Sequence, residues 1–341
     1  MNRPMTLIAA LALAGCGQGG EVRQQIRAVG SSTVYPFTTA VAEQFTTKNP
    51  GMRSPIVEST GTGAGMKLFC AGVGAQHPDI EDASRRIKAS EFAECQRNGV
   101  REIVELQVGI DGLALVEAAN GPAMQLTTAD IYKALAANPF GKAQTAKSWR
   151  DVNPSLPAIP IQVYGPPSTS GTRDSLVELI LTPGCDSDPA MARLKAANED
   201  QHKTVCTKVR EDGVFIESGE NDNLIVQKLS SNPNAVGVLG FSFLEENQGR
   251  IRGVAINGVT PTYETISSFA YPGARAMFIY VKSAHLNAIP GLKQFVAEYA
   301  SAWNPGGYLA RRGLIPSPDD VRARNAQAAT ALTPLDGAEL K

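Results

Sequence analysis

The feature that most constrains this chain is a unit that occurs three times: a short apolar strand, a loop rich in Ser, Thr and Gly, and an apolar-periodic helix. The first copy runs "QIRAV" (25–29), "GSSTVYP", then "FTTAVAEQFTTKN", with Phe37, Val41 and Phe45 at four-residue spacing. The second runs "SPIVES", "TGTGAG", "MKLFCAGV". The third runs "IPIQVYG", "PPSTSGT", "RDSLVELIL", with Leu176, Leu179 and Ile180 on one face and a helix end expected at Pro183-Gly184. Strands alternating with helices predict an α/β fold.

The remaining chain extends the pattern. "IVELQVGIDGLALVEAA" (103–119) reads as a long strand interrupted at Asp111-Gly112, and "ARAMFIYVK" (274–282) as a second one. A helix capped by Thr127 or Thr128 and an Asn-Gly turn inside "GVAINGVTPTYETI" fall between them. Two long extended runs, near 105–116 and 265–282, predict a chain that leaves one domain and returns to it. Lobe one is then 25–110 plus 266–333, lobe two is 111–265, and the tail from 334 to 341 is expected to be loose.

The N-terminus limits where such a chain works. After Arg3 the apolar stretch Met5–Leu13 is too short for a bilayer span, which needs about 20 residues, so 1–16 reads as an export signal. Its end, Leu13-Ala14-Gly15-Cys16, resembles a lipobox, which makes Cys16 the lipidation site and 17–24 a tether. Export to the periplasm or cell surface suits the other four cysteines, Cys70, Cys95, Cys185 and Cys206, as two disulfides. Three pairings are possible; the pairs nearest in sequence would close loops of about 20 to 25 residues, each contributing roughly 3 kcal/mol. Zinc ligation is the competing use, but there is no Cys-x-x-Cys spacing and no neighbouring histidine pair.

With 32 basic against 33 acidic residues there is no broad field to attract nucleic acid. An anion would have to be held by local dipoles and a few placed charges. The three loops supply such dipoles, because the first turn of a helix leaves backbone N–H groups without intrahelical partners. Hydroxyls add rotatable donors, and glycine allows close approach. One such loop is only a cap; three together point to a convergent oxyanion pocket. Ser84, followed by Arg85 and Arg86, adds a fourth element, with Arg85 the expected pocket arginine. The loops match neither a P-loop, nor G-x-G-x-x-G, nor G-x-S-x-G. The three histidines, His77, His202 and His285, read as surface residues, and no cofactor or catalytic constellation is expected.

"VGSSTVYPF", "STGTGAGMKLFCAG", "DIEDASRRI", "TSGTRDSL" and "YPGARAMFIYVK" together resemble the periplasmic phosphate-binding proteins of Pst-type ABC transporters, over about residues 25 to 325. The resemblance implies a type II periplasmic-binding-protein-like fold: two α/β lobes joined by hinge strands that close on phosphate. It implies a monomer that delivers phosphate to a membrane permease. By position, the ligand contacts fall on Ser32, Thr33, Val34, Thr62, Ser84, Ser170, Gly171 and Thr172. Two of the family's residues are absent. Arg85 stands where the family has an aspartate that accepts the ligand's proton, and Pro166 where it has an arginine. Arg85, or else Arg173, is expected to supply the missing cation, and Asp82, Asp111 or Glu217 the missing carboxylate. Other readings are a binder of sulfate, molybdate or a phosphonate, an exported phosphatase on a similar scaffold, and an adhesion lipoprotein whose loops only cap helices.

Overall fold

A computed structural model describes residues 23–219 and 222–340; the stretch expected to be an export signal, Cys16 and most of the expected tether lie outside them. The strands are β1 (Arg27–Gly30), β2 (Ile56–Ser59), β3 (Ile80–Ala83), β4 (Ile103–Ala118), β5 (Gln125–Leu126) and β6 (Val163–Gly165), then β7 (Phe215–Glu217), β8 (Val236–Gly240), β9 (Ile251–Gly253), β10 (Ala255–Ile256) and β11 (Ala274–Lys282). Nine of them form one sheet in the order β2-β1-β3-β11-β4-β8-β6-β7, with β9 also on β4. The β1–β2, β1–β3, β6–β7 and β6–β8 pairs are parallel, as strand–helix–strand units require, whereas β11 and β4 run antiparallel to their neighbours.

The sixteen-residue β4 belongs to both halves of this sheet. Ile103 to Gly112 pair with β11, and Leu113 to Glu117 pair with β8. Its side chains divide in the same way. Val104, Leu106 and Val108 join a core with Ile26, Val41, Phe45, Ile279 and Phe295. Ile110 and Leu113 to Val116 join a second core with Tyr132, Trp149, Leu176 and Val238. Both faces of β4 are covered along most of its length, which is why the run reads as nearly continuous apolar sequence.

Two helices of the first lobe carry site residues. Helix α1 (Tyr35–Lys48) starts with Pro36 in its first turn, where the missing N–H costs nothing, and buries Phe37, Val41 and Phe45. Helix α2 (Thr62–Cys70) starts from Gly61 at φ 78°, a backbone geometry that favours glycine. Both cysteine pairs nearest in sequence are bonded: Cys70–Cys95 and Cys185–Cys206. The first ties α2 to the helix Ala89–Arg97, and the second ties Thr182–Asp186 to the helix Glu199–Thr207.

Four sequence expectations need correction. The third unit's helix does not stop at Pro183-Gly184; it passes from Gly171–Ser175 through a π-helical stretch, Leu176–Leu181, into Thr182–Asp186. Pro183 is tolerated because it falls at the start of a new helical turn. The second extended run begins only at Ala274, since Tyr263–Ser267 is a short helix capped by Thr262. The tail is docked rather than loose: Pro334 bridges to Val104, Leu335 donates to the Ile103 carbonyl, and Arg86 pairs with Glu339. Two of the three histidines are buried, His202 against Asp186 and His285 against Asp79. The Thr127 cap holds, its hydroxyl accepting from the Asp130 N–H. Asn257 and Gly258 both take positive φ at the Asn-Gly turn, though β10 pairs with β5, and Val259 makes only a single bridge back.

Candidate functional site

The first and third loops meet where the lobes touch. Gly30, at φ 135°, ends β1 so close to β3 that a Cβ there would lie 2.1 Å from the Asp82 carbonyl. The chain then turns through Ser31, whose hydroxyl accepts from the Thr33 N–H at 3.1 Å and the Val34 N–H at 3.4 Å. From the other lobe, Ser170 caps its helix by accepting from the Thr172 N–H. Gly171 packs directly on the first loop: a Cβ there would sit 2.8 Å from Thr33 Cα.

A cavity of about 270 Å³ opens beside this contact, walled by Ser32, Thr33, Asp111, Ser170, Gly171 and Thr172. Val34 does not line it, because its side chain is buried in the first lobe's core. Thr62 and Ser84 hydrogen-bond each other at 3.0 Å and face a larger cleft of about 1010 Å³, together with Arg85 and Arg275. The candidate residues therefore fall into two groups on adjoining cavities.

Arg275 joins the two groups. It stands at the start of β11 and is nearly buried, at 9% exposure. Its guanidinium donates at 2.8 Å to both the Thr33 hydroxyl of one lobe and the Ser175 hydroxyl of the other. It is held there by the Asp111 carboxylate at 3.1 Å and by Glu178. Ser175 also donates to Asp111 at 2.6 Å, so Asp111 fixes both groups. Ser32 donates across the interface to Asp174.

The arginines expected from the sequence have other partners. Arg85 makes a bidentate pair with Glu91, at 2.7 and 2.9 Å, and that pair raises its pKa further. Arg173 stacks over the Phe215 ring at 4.2 Å and donates to the Pro166 carbonyl, away from the small cavity. Of the three candidate carboxylates, Glu217 sits near Arg173 at 3.7 Å and Asp82 bonds Thr38 behind the first loop. Asp111 alone of these lines the small cavity.

The sequence reading named neither Arg275 nor Ser175. The signal for Arg275 was present: a lone charge inside the apolar strand "ARAMFIYVK", where burial demands partners. Ser175 follows Gly171 by four residues, which places it on the same helical face as the loop.

Among the described residues, Cys185, His202 and Cys206 are the group with metal-ligand geometry, and there the two sulfurs are bonded to each other. No described helix is long and apolar enough to cross a membrane.

The PBP superfamily domain profile matches residues 17–302. Protein SphX of Synechococcus elongatus is 34% identical over 319 residues, covering 91% of this chain and 81% of that protein. A phosphate-binding protein PstS of Staphylococcus saprophyticus is 27% identical over 298 residues, covering 84% of this chain and 81% of that one. The crystal structure of a possible phosphate-binding protein from Planctomyces limnophilus superposes with a TM-score of 0.72 at 31% identity, covering 90% of this chain and 98% of that one. Two α/β lobes share one sheet, hydroxyl-rich loops face each other across their junction, and the match runs through both, so the chain belongs to the PBP superfamily of solute-binding proteins.

Proposed function

We propose that this protein is an exported receptor that captures inorganic phosphate between its lobes and delivers it to the membrane permease of an ABC importer. The observation that carries the reading is Arg275, a nearly buried guanidinium bonded at once to Thr33 of one lobe and Ser175 of the other. A buried cation beside hydroxyls and helix N-termini is matched to a compact oxyanion rather than to an apolar or cationic solute. The named phosphate-binding relatives support phosphate as that oxyanion.

Ser32, Thr33, Ser170, Gly171 and Thr172 supply donors around the small cavity, and Thr62 and Ser84 approach from the cleft as the lobes close. Arg275 supplies the cation for which the sequence suggested Arg85 or Arg173. Asp111 is the carboxylate placed to accept a proton from the ligand, which favours hydrogen phosphate over sulfate. The protein works as a monomer anchored through lipidated Cys16. It binds without covalent chemistry, and among the described residues the partners of Arg275 are the hydroxyls of Thr33 and Ser175 and the carboxylates of Asp111 and Glu178.

Isothermal titration of phosphate-stripped protein with phosphate, arsenate, sulfate and molybdate tests this reading. Phosphate and arsenate should bind tightly and sulfate should give no heat. Equal sulfate binding would remove the role given to Asp111, and no phosphate heat would remove the function. Chelator-sensitive hydrolysis of a phosphomonoester would overturn the assignment as a binder.

A further inference from the structure

The third loop carries an acid in the first turn of its helix, bonded to Ser32 of the opposite lobe. Asp174 lies in the first turn after the Ser170 cap, where a carboxylate also favours the positive end of the helix. Its side chain is partly buried and accepts the Ser32 hydroxyl of the other lobe. Ser32 lines the same small cavity as Thr33 and Gly171. A serine hydroxyl has one proton to donate. Ser32 cannot serve Asp174 and a bound oxyanion together.

We propose that Asp174 is a built-in competitor for the oxyanion site: its carboxylate holds Ser32 across the lobes, and a ligand must displace it. The inference rests on the oxyanion-binding reading above and adds a determinant of affinity to it. Two further contacts set the geometry. Gly171 touches Thr33 through backbone atoms, so at this point the lobes are in direct contact. The Thr33 hydroxyl, besides accepting from Arg275, donates to the Gly171 carbonyl at 3.3 Å. The third loop therefore presents both an acceptor carbonyl and a carboxylate to the donors of the first. An incoming anion meets these donors already satisfied, and the Asp174 charge opposes it within the same small space. The competitor lowers affinity, and because it bridges the lobes it also holds them together before capture. A receptor that must release its ligand to a permease gains from both effects.

The opposite effect is expected if Asp174 only stabilises its helix. Loss of an acid from a first helical turn would loosen the loop and weaken binding. The sign of the affinity change thus separates competition from scaffolding.

The test is titration of phosphate into phosphate-stripped wild type, Asp174→Asn and Asp174→Ala, with thermal unfolding of each to confirm folding. Removing a charged acceptor from Ser32 should tighten phosphate binding about tenfold in both variants. Unchanged or weaker binding in folded variants overturns the proposal. Small-angle scattering of the stripped proteins reads the bridge without reference to which ligand binds. Asp174→Ala should give a larger radius of gyration than wild type, and identical radii also overturn the proposal. If wild-type protein gives no phosphate heat, the phosphate assignment fails, and the scattering comparison still decides the role of Asp174.

Discussion

Arg275 shows what sequence can and cannot reveal about a single side chain. Hydroxyl–glycine loops are legible because they follow from local rules: a cap, a turn, a helix start. Thus "TSGT" reads as a loop that starts a helix, and Ser170 caps the helix Gly171–Ser175 there. Arginine partners are set by long-range packing, and sequence neighbours say little about them. Arg85 stands next to Ser84 yet turns to Glu91, six residues on, while Arg275 reaches Thr33, 242 residues away. Replacing Arg275 by Lys keeps the charge but loses the fork that serves two hydroxyls together. Arg275→Lys should weaken phosphate binding by about ten- to a hundred-fold, the range for one to two lost charged hydrogen bonds. Arg85→Ala should change affinity by less than about twofold, since Glu91 already occupies its fork. Titration of the two variants in parallel checks the assignment, and a larger loss in Arg85→Ala would reverse it.

At the scale of elements, β3 was not singled out as a strand by the sequence, and its burial governs the ionisation of its two acids. "IEDA" contains two acids, yet all four residues are buried: Ile80 joins the core that holds Val41, Phe45 and Tyr299, and α2 packs against the strand. Asp82 points towards α1, where Thr38 and Tyr299 meet, and Glu81 packs against Gly30 and Gly65 on the α2 side. Burial, with the neighbouring Asp82, pushes the Glu81 carboxyl well above its usual range. Burial also raises the Asp82 carboxyl from 3.8 to about 7, partly offset by the Thr38 hydrogen bond. A carboxyl with a raised folded-state pKa keeps its proton longer in the native than in the unfolded chain. The contribution of Asp82 to stability therefore falls as pH rises from about 4 and levels off once it ionises near 7. Asp82→Asn should flatten the profile of unfolding free energy between those two values, measured by urea titration at several pH values. A profile as steep as that of wild type would show that Asp82 ionises normally in the fold. Elsewhere, local rules failed where tertiary contacts dominated. Pro183 did not end its helix, because the chain resumes there as a new helical turn with Gly184 packed on Thr128 and Tyr132. The tail was not loose, because the edge of β4 offers it a partner.

For the whole molecule the decisive element is β4, which the sequence showed as a long extended run but could not assign to partners. One strand supplies apolar side chains to two cores and hydrogen bonds to β11 and β8 in turn, so the lobes share a rigid spine while their loops face each other. Arg275, on β11 opposite Asp111 of β4, sits on that spine with partners in both lobes. A ligand held at this junction lowers the free energy of the closed arrangement only, so its stabilisation is confined to segments that move relative to the spine. Hydrogen exchange with and without phosphate should therefore show added protection in two distant stretches together, 30–34 and 170–175, with a smaller gain at 61–65. The strands β4 and β11 should change little, because their amides are already bonded across the sheet. Protection gained in one lobe alone would mean that phosphate binds on a single lobe and that Arg275 does not join the two. Protection spread evenly through β4 and β11 would mean that closure deforms the spine itself, and the loops would then be followers of that change.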